Sequence, residues 1–243
     1  MTAATISAGG KGRRGVDRTR EVAAAALSAF CDGGFRLTQI AHVAERLGVS
    51  VGTIYRYVDS KEALFHLAVL AALGEAPEAL EAPLKVAGTA ETARRLREAT
   101  AADRLWDRLD AALAAPAPAD VAAEAREIAQ QLYASLTRRA PVIRLLDRCA
   151  HEIPELAEIF DQEVRAVLMA DLTAWAEKRG LADAAGTPSA AVLTRGAMEA
   201  VAWLAKTRRG DPTAAGIGED DAREAAVRIF VNALCPSADA PPG

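Results

Sequence analysis

Thr53, Tyr55, Arg56, Tyr57 and Lys61 crowd into nine consecutive positions of a 243-residue chain, and side chains of these types share one chemistry. A guanidinium offers a planar fork of donors that pairs bidentately with the edge of a guanine, and a threonine hydroxyl can bond a base or a phosphate. Tyrosine hydroxyls can reach phosphate while their rings pack on the helix or a sugar. A lysine at a helix start adds charge where free N–H groups already favour an anion. Val51 can meet a thymine methyl, and Gly52 has no side chain to keep a backbone or phosphate away. This is equipment for holding duplex DNA rather than for breaking bonds.

Such a set works only if something braces it. The stretch from Thr38 to Leu64, TQIAHVAERLGVSVGTIYRYVDSKEAL, reads as two short helices hinged at Gly48, with a further helix behind them. Thr38 is the expected N-cap of the first, and Ile40, Val43, Ala44 and Leu47 face inward. Gly48 is expected at the turn, which calls for a positive φ. Ser50 caps the helix that carries Arg56, whose inward residues are Ile54 and Val58. Asp59 or Ser60 caps the next, and Glu62 would complete a capping box with Asp59. An earlier helix is predicted from about Asp17 to Asp32, with Val22, Ala26, Ala29 and Phe30 on one stripe and Gly33-Gly34 ending it. In a helix-turn-helix the first helix braces the second, whose N-terminal residues then meet base edges in the major groove.

Composition agrees with this reading. Half the residues are hydrophobic, yet aromatics are only 5% and alanine is abundant, which favours helices over a sheet. The formal charge of −4 would argue against nucleic acid. Residues 1–66, however, hold nine Lys/Arg against six Asp/Glu, so an acidic body carries a basic head. Cys31, Cys149 and Cys235 lie far apart, in no metal-ligand spacing and with no even pairing, as expected of reduced thiols. No apolar run is long enough for a membrane span or a secretory signal, so a cytoplasmic protein is expected.

Further helices are predicted at about 89–114, 120–139, 141–151, 154–179, 188–208 and 219–234, each bounded by proline or glycine. Residues 74–90 read as a poorly ordered connection. Other chemistries find little support. Asp103, Asp107 and Asp110 with Arg104 and Arg108 have the spacing of a solvated helix face. The His151-Glu152 pair lacks the second histidine of a zinc-protease motif, and Pro154 breaks the helix that motif needs. No nucleophile elbow, phosphate-cradling loop or dinucleotide fingerprint occurs. No metal, cofactor or catalytic residue is expected, and the chain does not read as an enzyme.

Residues 17–65 resemble the TetR family of bacterial transcriptional regulators. The resemblance is carried by Arg20, Ala25, Phe30, Gly34-Phe35, Thr38, Ile40, Val43-Ala44, Gly48-Val49-Ser50, Gly52-Thr53-Ile54-Tyr55, Tyr57 and Ser60-Lys61-Glu62-Ala63-Leu64. It implies an all-α fold of about nine helices: a three-helix DNA-binding head, a larger body that binds a small effector, and a homodimer made by the last two helices. It implies repression relieved by the effector. Its DNA contacts fall here on Thr38, Gln39, Val51, Thr53, Tyr55, Arg56, Tyr57 and Lys61. The chain departs from the pattern at Ala41, followed by His42, where relatives often carry a basic residue, and one common base contact is lost.

The expected organisation is a disordered basic arm over 1–15, a helix-turn-helix domain over 16–76, an effector-binding and dimerisation domain over 77–235 and a disordered tail over 236–243. Arg13 and Arg14 of the arm could enter a minor groove beside the head. Trp106, Tyr133, Leu145, Cys149, Phe160 and Met169 are the candidate lining of a largely apolar pocket. Leu193, Ala197, Ala200, Val201 and Leu204 on one helix, with Ala226, Ile229 and Phe230 on the next, are the candidate dimer face. The expected partners are an operator duplex, an unidentified small molecule and a second copy, with no membrane. The alternatives are an architectural DNA-binding protein without an effector, and a helical enzyme carrying a DNA-binding head.

Overall fold

The computed structural model describes residues 9–75, 81–102, 106–181 and 188–235, with the side chains of 9–17 and 102 outside that set. The tail 236–243 and residues 1–8 also lie outside it. The described residues are all-α, and their one β-type contact is an isolated parallel bridge between Val58 and Leu84. The chain forms two compact units: residues 1–99 with 141–159, and residues 100–140 with 160–243. The unit that holds the head also takes in residues 81–99 and 141–159.

In the first unit, α1 (Gly9–Leu37), α2 (Ile40–Arg46), α3 (Val51–Ile54) and α4 (Lys61–Ala72) form the head. The predicted stripe on α1 is the one that is buried: Val22, Ala26, Ala29 and Phe30. α4 is apolar all round, as a helix enclosed on every side must be, and Leu64, Phe65, Leu67 and Val69 are fully covered. Phe65 meets Phe30 and Phe35 edge-on, at ring-centre distances of 5.0 and 5.1 Å. α1 begins at Gly9, eight residues before the expected Asp17, so residues 9–15 of the expected disordered arm are helical. Once a helix is docked, each added residue extends it without a fresh nucleation cost.

The rest of this unit is α5 (Thr89–Ala102, to residue 99), α8 (Ala140–Cys149, from residue 141), a 3₁₀ turn at Ala150–Glu152 and α9 (Pro154–Ala157). The connection expected to be poorly ordered is bound where it is described. The Asp59 amide donates to the Leu84 carbonyl at 3.2 Å, and the Leu84 amide donates to the Tyr57 carbonyl at 2.8 Å. Pairing through main-chain atoms leaves no periodic side-chain pattern, which is why the segment read as featureless.

The second unit contains α6 (Asp107–Ala114), α7 (Val121–Arg138), α10 (Val167–Lys178), α11 (Ala190–Ala202) and α12 (Glu219–Leu234). A π-helical stretch, Glu158–Ala166, joins α9 to α10 in the chain. The single helix expected over 89–114 is interrupted: Trp106 has non-helical angles (φ −147°, ψ 49°) and α6 starts after it. The core gathers Leu109, Ile128, Leu132, Leu172, Trp175 and Phe230, with the last two rings stacked at 6.4 Å.

That core also claims most of the expected dimer face. Ala197, Val201, Leu204, Ala226 and Phe230 are buried within this one chain, and Leu193 packs against them. A helix buries its strongest apolar stripe in its own core. The large apolar side chains that remain outside here are Val192 on α11, Trp203 just past its end and Ile229 on α12, which are 61%, 37% and 44% exposed, and Ala200 is half-buried.

A polar network centred on Glu124 lies inside this unit. Glu124 accepts from the Trp175 indole at 2.9 Å and from Arg179 at 2.7 and 2.9 Å, and Arg179 also reaches the Ala112 carbonyl at 2.7 Å. The Arg179 hydrogen bonds hold the Glu124 carboxyl below the usual carboxylate range. Glu124→Ala strands a guanidinium whose side chain is wholly covered, and should cost about 3–5 kcal/mol in urea unfolding. Arg179→Met leaves a carboxylate that is 18% exposed, can hydrate and keeps the Trp175 indole, and should cost less; a larger loss than for Glu124→Ala would contradict this account.

Candidate nucleic-acid interface

The head is built from very short helices, so its geometry depends on how their ends are tied. α2 closes in a Schellman arrangement: the Gly48 amide donates to the Glu45 carbonyl at 3.0 Å and the Val49 amide to the Ala44 carbonyl at 3.0 Å. Gly48 sits at φ +62°, the left-handed value that glycine adopts without strain. Ser50 caps α3, accepting from the Thr53 amide at 3.3 Å, and its hydroxyl lies 2.9 Å from the Thr53 hydroxyl. The helical turn continues past Ile54, since the Arg56 and Tyr57 amides donate to the Thr53 and Ile54 carbonyls at 3.3 and 2.8 Å. Ile54 and Val58 are fully buried, as their spacing predicts, and they fix which side of this segment faces out.

The outer side carries the expected residues. Val51 and Tyr55 are 40% and 48% exposed, and Gly52, Arg56 and Gln39 are exposed as well. Thr53 and Tyr57 are half-buried beside them. A Cβ built on Gly52 would meet only the Ser50 hydroxyl, at 3.9 Å, so nothing inside the chain requires glycine there. His42 and Ala41 join the same exposed surface. Arg13 and Arg14 lie on α1, but their side chains fall outside the described residues.

Two expected roles change. Thr38 is buried, and its hydroxyl donates to the Ala29 carbonyl at 3.1 Å, so it ties α2 to α1 and does not face solvent. The residue that starts α2 is Gln39, whose amide donates to His42 Nδ1 at 3.2 Å. A hydroxyl one residue nearer a helix end than the cap finds the previous helix before it finds the next. Lys61 is half-buried: its ammonium donates to the Arg36 carbonyl at 3.0 Å and lies 4.8 Å from the Phe35 ring centre. Ser60, not Asp59, caps α4, accepting from the Ala63 amide at 3.1 Å.

Residues 13–68 match the family model described as bacterial regulatory proteins, tetR family. The head is a tetR-family domain. The match spans about a quarter of the chain and contains every described helix-turn-helix contact above. The match over this segment suggests DNA-binding transcriptional regulation. A solved structure from Mesorhizobium loti MAFF303099, assigned to the same family of transcriptional regulators, is similar over 91% of this chain and 96% of that one, at 18% identity and a TM-score of 0.45. No curated protein matches the chain.

The candidate pocket residues do not form one set. Leu145 and Cys149 are buried in the unit that contains the tetR-type head, where the Cys149 thiol donates to the Phe30 carbonyl at 3.6 Å. Burial pushes that thiol up to about 12, which suits a packing residue. Tyr133, Phe160, Trp106 and Met169 belong to the other unit. Tyr133 is buried in its core with Trp106 and Met169 packed around, and its hydroxyl donates to Glu219 at 2.9 Å. An open cleft of about 560 Å³ in that unit is lined by Arg126, Gln130, Arg223 and Val227 among others, and by none of the expected residues. Among the described residues no group of His, Cys, Asp and Glu could hold a metal, and no helix is long and apolar enough to cross a membrane.

Arg148 and Glu152 meet the end of α1, and no local pattern in the sequence signals it: the His151-Glu152 pair offers only a metal motif that lacks its second histidine.

His66 gives the head a pH dependence. It is buried on α4, and its Nδ1 lies 3.0 Å from the Thr92 hydroxyl of α5. Burial holds the imidazole below its ordinary 6.5, with Arg95 and Arg94 acting in the same direction and Glu91 and Glu75 opposing. A depressed value in the fold means that stability is full above the unfolded value and is lost as pH falls through the folded one. Melting temperature should therefore drop as pH goes from about 7.5 to about 5.5, and His66→Gln should flatten that slope. An unchanged slope in the variant would contradict this origin.

Proposed function

We propose that the protein is a homodimeric repressor that binds an approximately palindromic operator and leaves it when a small molecule enters the body. The observation that supports the DNA reading most strongly is the exposed edge of Val51, Gly52, Tyr55 and Arg56, set on a capped helix and backed by the buried Ile54 and Val58. In this reading Arg56 pairs with a guanine edge in the major groove. Gly52 brings the main chain close to the duplex. Tyr55, Tyr57 and Lys61 meet phosphates; the Lys61 ammonium keeps two of its three donors free after the bond to Arg36.

Dimerisation sets the distance between two such heads, and half-site spacing follows from it. The face that suits a second copy is the apolar remainder on the last helices, Val192, Trp203 and Ile229, rather than the stripe taken by the core. Effector control requires that the ligand bind one head spacing better than the other, typically by ~1–3 kcal/mol. Trp106, Tyr133 and Met169 are the residues around which an apolar ligand would be sought.

Footprinting on the DNA flanking the chain's own gene tests the proposal. One protected palindrome is expected, lost on addition of an active metabolite from a panel. Equal binding to unrelated duplexes would contradict it and favour an architectural role. Arg56→Ala should relax discrimination at one base pair per half-site by roughly 1–3 kcal/mol across a mutated operator library. Lys61→Met should weaken every duplex alike and lower the salt slope by about one; an unaltered slope would remove its phosphate role.

A further inference from the structure

The last turn of α1 is held by side chains from a segment more than a hundred residues further along. Helix C-termini leave carbonyls without intrahelical partners. Here the Phe30 carbonyl accepts from the Cys149 thiol, and the Gly33 and Asp32 carbonyls lie 3.3 and 3.5 Å from the Arg148 guanidinium nitrogens. Both main-chain groups of Arg36 are also engaged: its amide donates to Glu152 Oε2 at 2.5 Å, and its carbonyl accepts from Lys61 Nζ at 3.0 Å. Between these contacts the backbone turns at Gly34 (φ +76°), where a Cβ would stand 2.7 Å from Glu152 Oε1 and 3.3 Å from the Arg148 guanidinium carbon. The turn is shaped around the Arg148 and Glu152 side chains.

The same turn controls two features of the DNA-facing surface. It leads through Thr38, tied to the Ala29 carbonyl, straight into α2, which braces α3. Its Arg36 carbonyl also anchors the Lys61 ammonium. We propose that Arg148 and Glu152 are positioning residues for operator recognition: through the 32–36 turn they set the angle at which the helix-turn-helix leaves α1 and the place of Lys61. They touch no base or phosphate themselves. The proposal rests on the DNA-reading role given above. It assigns to residues 148–152 a part in recognition although they lie outside the matched family segment.

The test uses the full-length protein, the palindrome defined by wild-type footprinting and a random duplex of equal length. Glu152→Ala and Arg148→Met should weaken operator binding about tenfold or more, the scale of a lost charge-assisted hydrogen bond. Binding to the random duplex should stay within about twofold, and melting should shift by no more than about 4 °C. Glu152→Gln keeps an acceptor for the Arg36 amide and should restore operator affinity to near wild type. The proposal is overturned if Glu152→Ala binds the operator as wild type does. It is also overturned if Glu152→Ala loses both duplexes together with thermal stability, or if the glutamine variant fares no better than the alanine. A wild-type protein that prefers no duplex would sink the DNA reading itself, and is told apart because it appears before any variant is made.

Discussion

Short helices cannot satisfy their own ends, and in the head of this protein that constraint governs everything else. α2 has seven residues and α3 four, so most of their main-chain groups lie in end turns. Their ends, and the start of α4, are closed by named contacts: His42 on the Gln39 amide, the Schellman pair at Gly48, Ser50 on the Thr53 amide, Leu84 on Tyr57 and Asp59, and Ser60 on the Ala63 amide. Isolated helices of this length would not hold. Their orientation, and therefore the direction in which Arg56 projects, is fixed by these closures together with the buried Ile54 and Val58.

How much of this was legible in the sequence depended on whether the closing contact was local. Gly48 and Ser50 are local devices, readable from residue type and spacing, and the structure places both as expected. Thr38 misled because the cap of α2 is the next residue, Gln39, and the Thr38 hydroxyl donates instead to the carbonyl of Ala29, nine residues back. Contacts from a distant segment left no trace: nothing in the run around Arg148 and Glu152 shows that it closes the end of α1. The Leu84 pairing was equally silent because only main-chain atoms take part.

The body was readable as helices and opaque as surfaces. The predicted helices over 120–139 and 219–234 form, since apolar period and breakers decide them locally, while 154–179 is split into α9, a π-helical stretch and α10. Which of two apolar faces meets a partner is decided by the rest of the fold. The alanine-rich stripe through Ala197 and Val201 turned out to be core, while the sparse set Val192, Trp203 and Ile229 stayed outside. Large side chains likewise do not announce a cavity: Leu145 and Cys149 went to the unit of the head, and Tyr133 to the core of the other.

The central claim is that the edge formed by residues 51–57 lies against duplex DNA. Amide hydrogen exchange on the full-length protein, with and without the DNA that flanks its gene, addresses it directly. The account predicts added protection across residues 39–61 on DNA binding, concentrated between Val49 and Tyr57, with residues 190–234 unchanged. Protection confined to the body, or none in the 49–57 segment when the duplex is demonstrably bound, would contradict it.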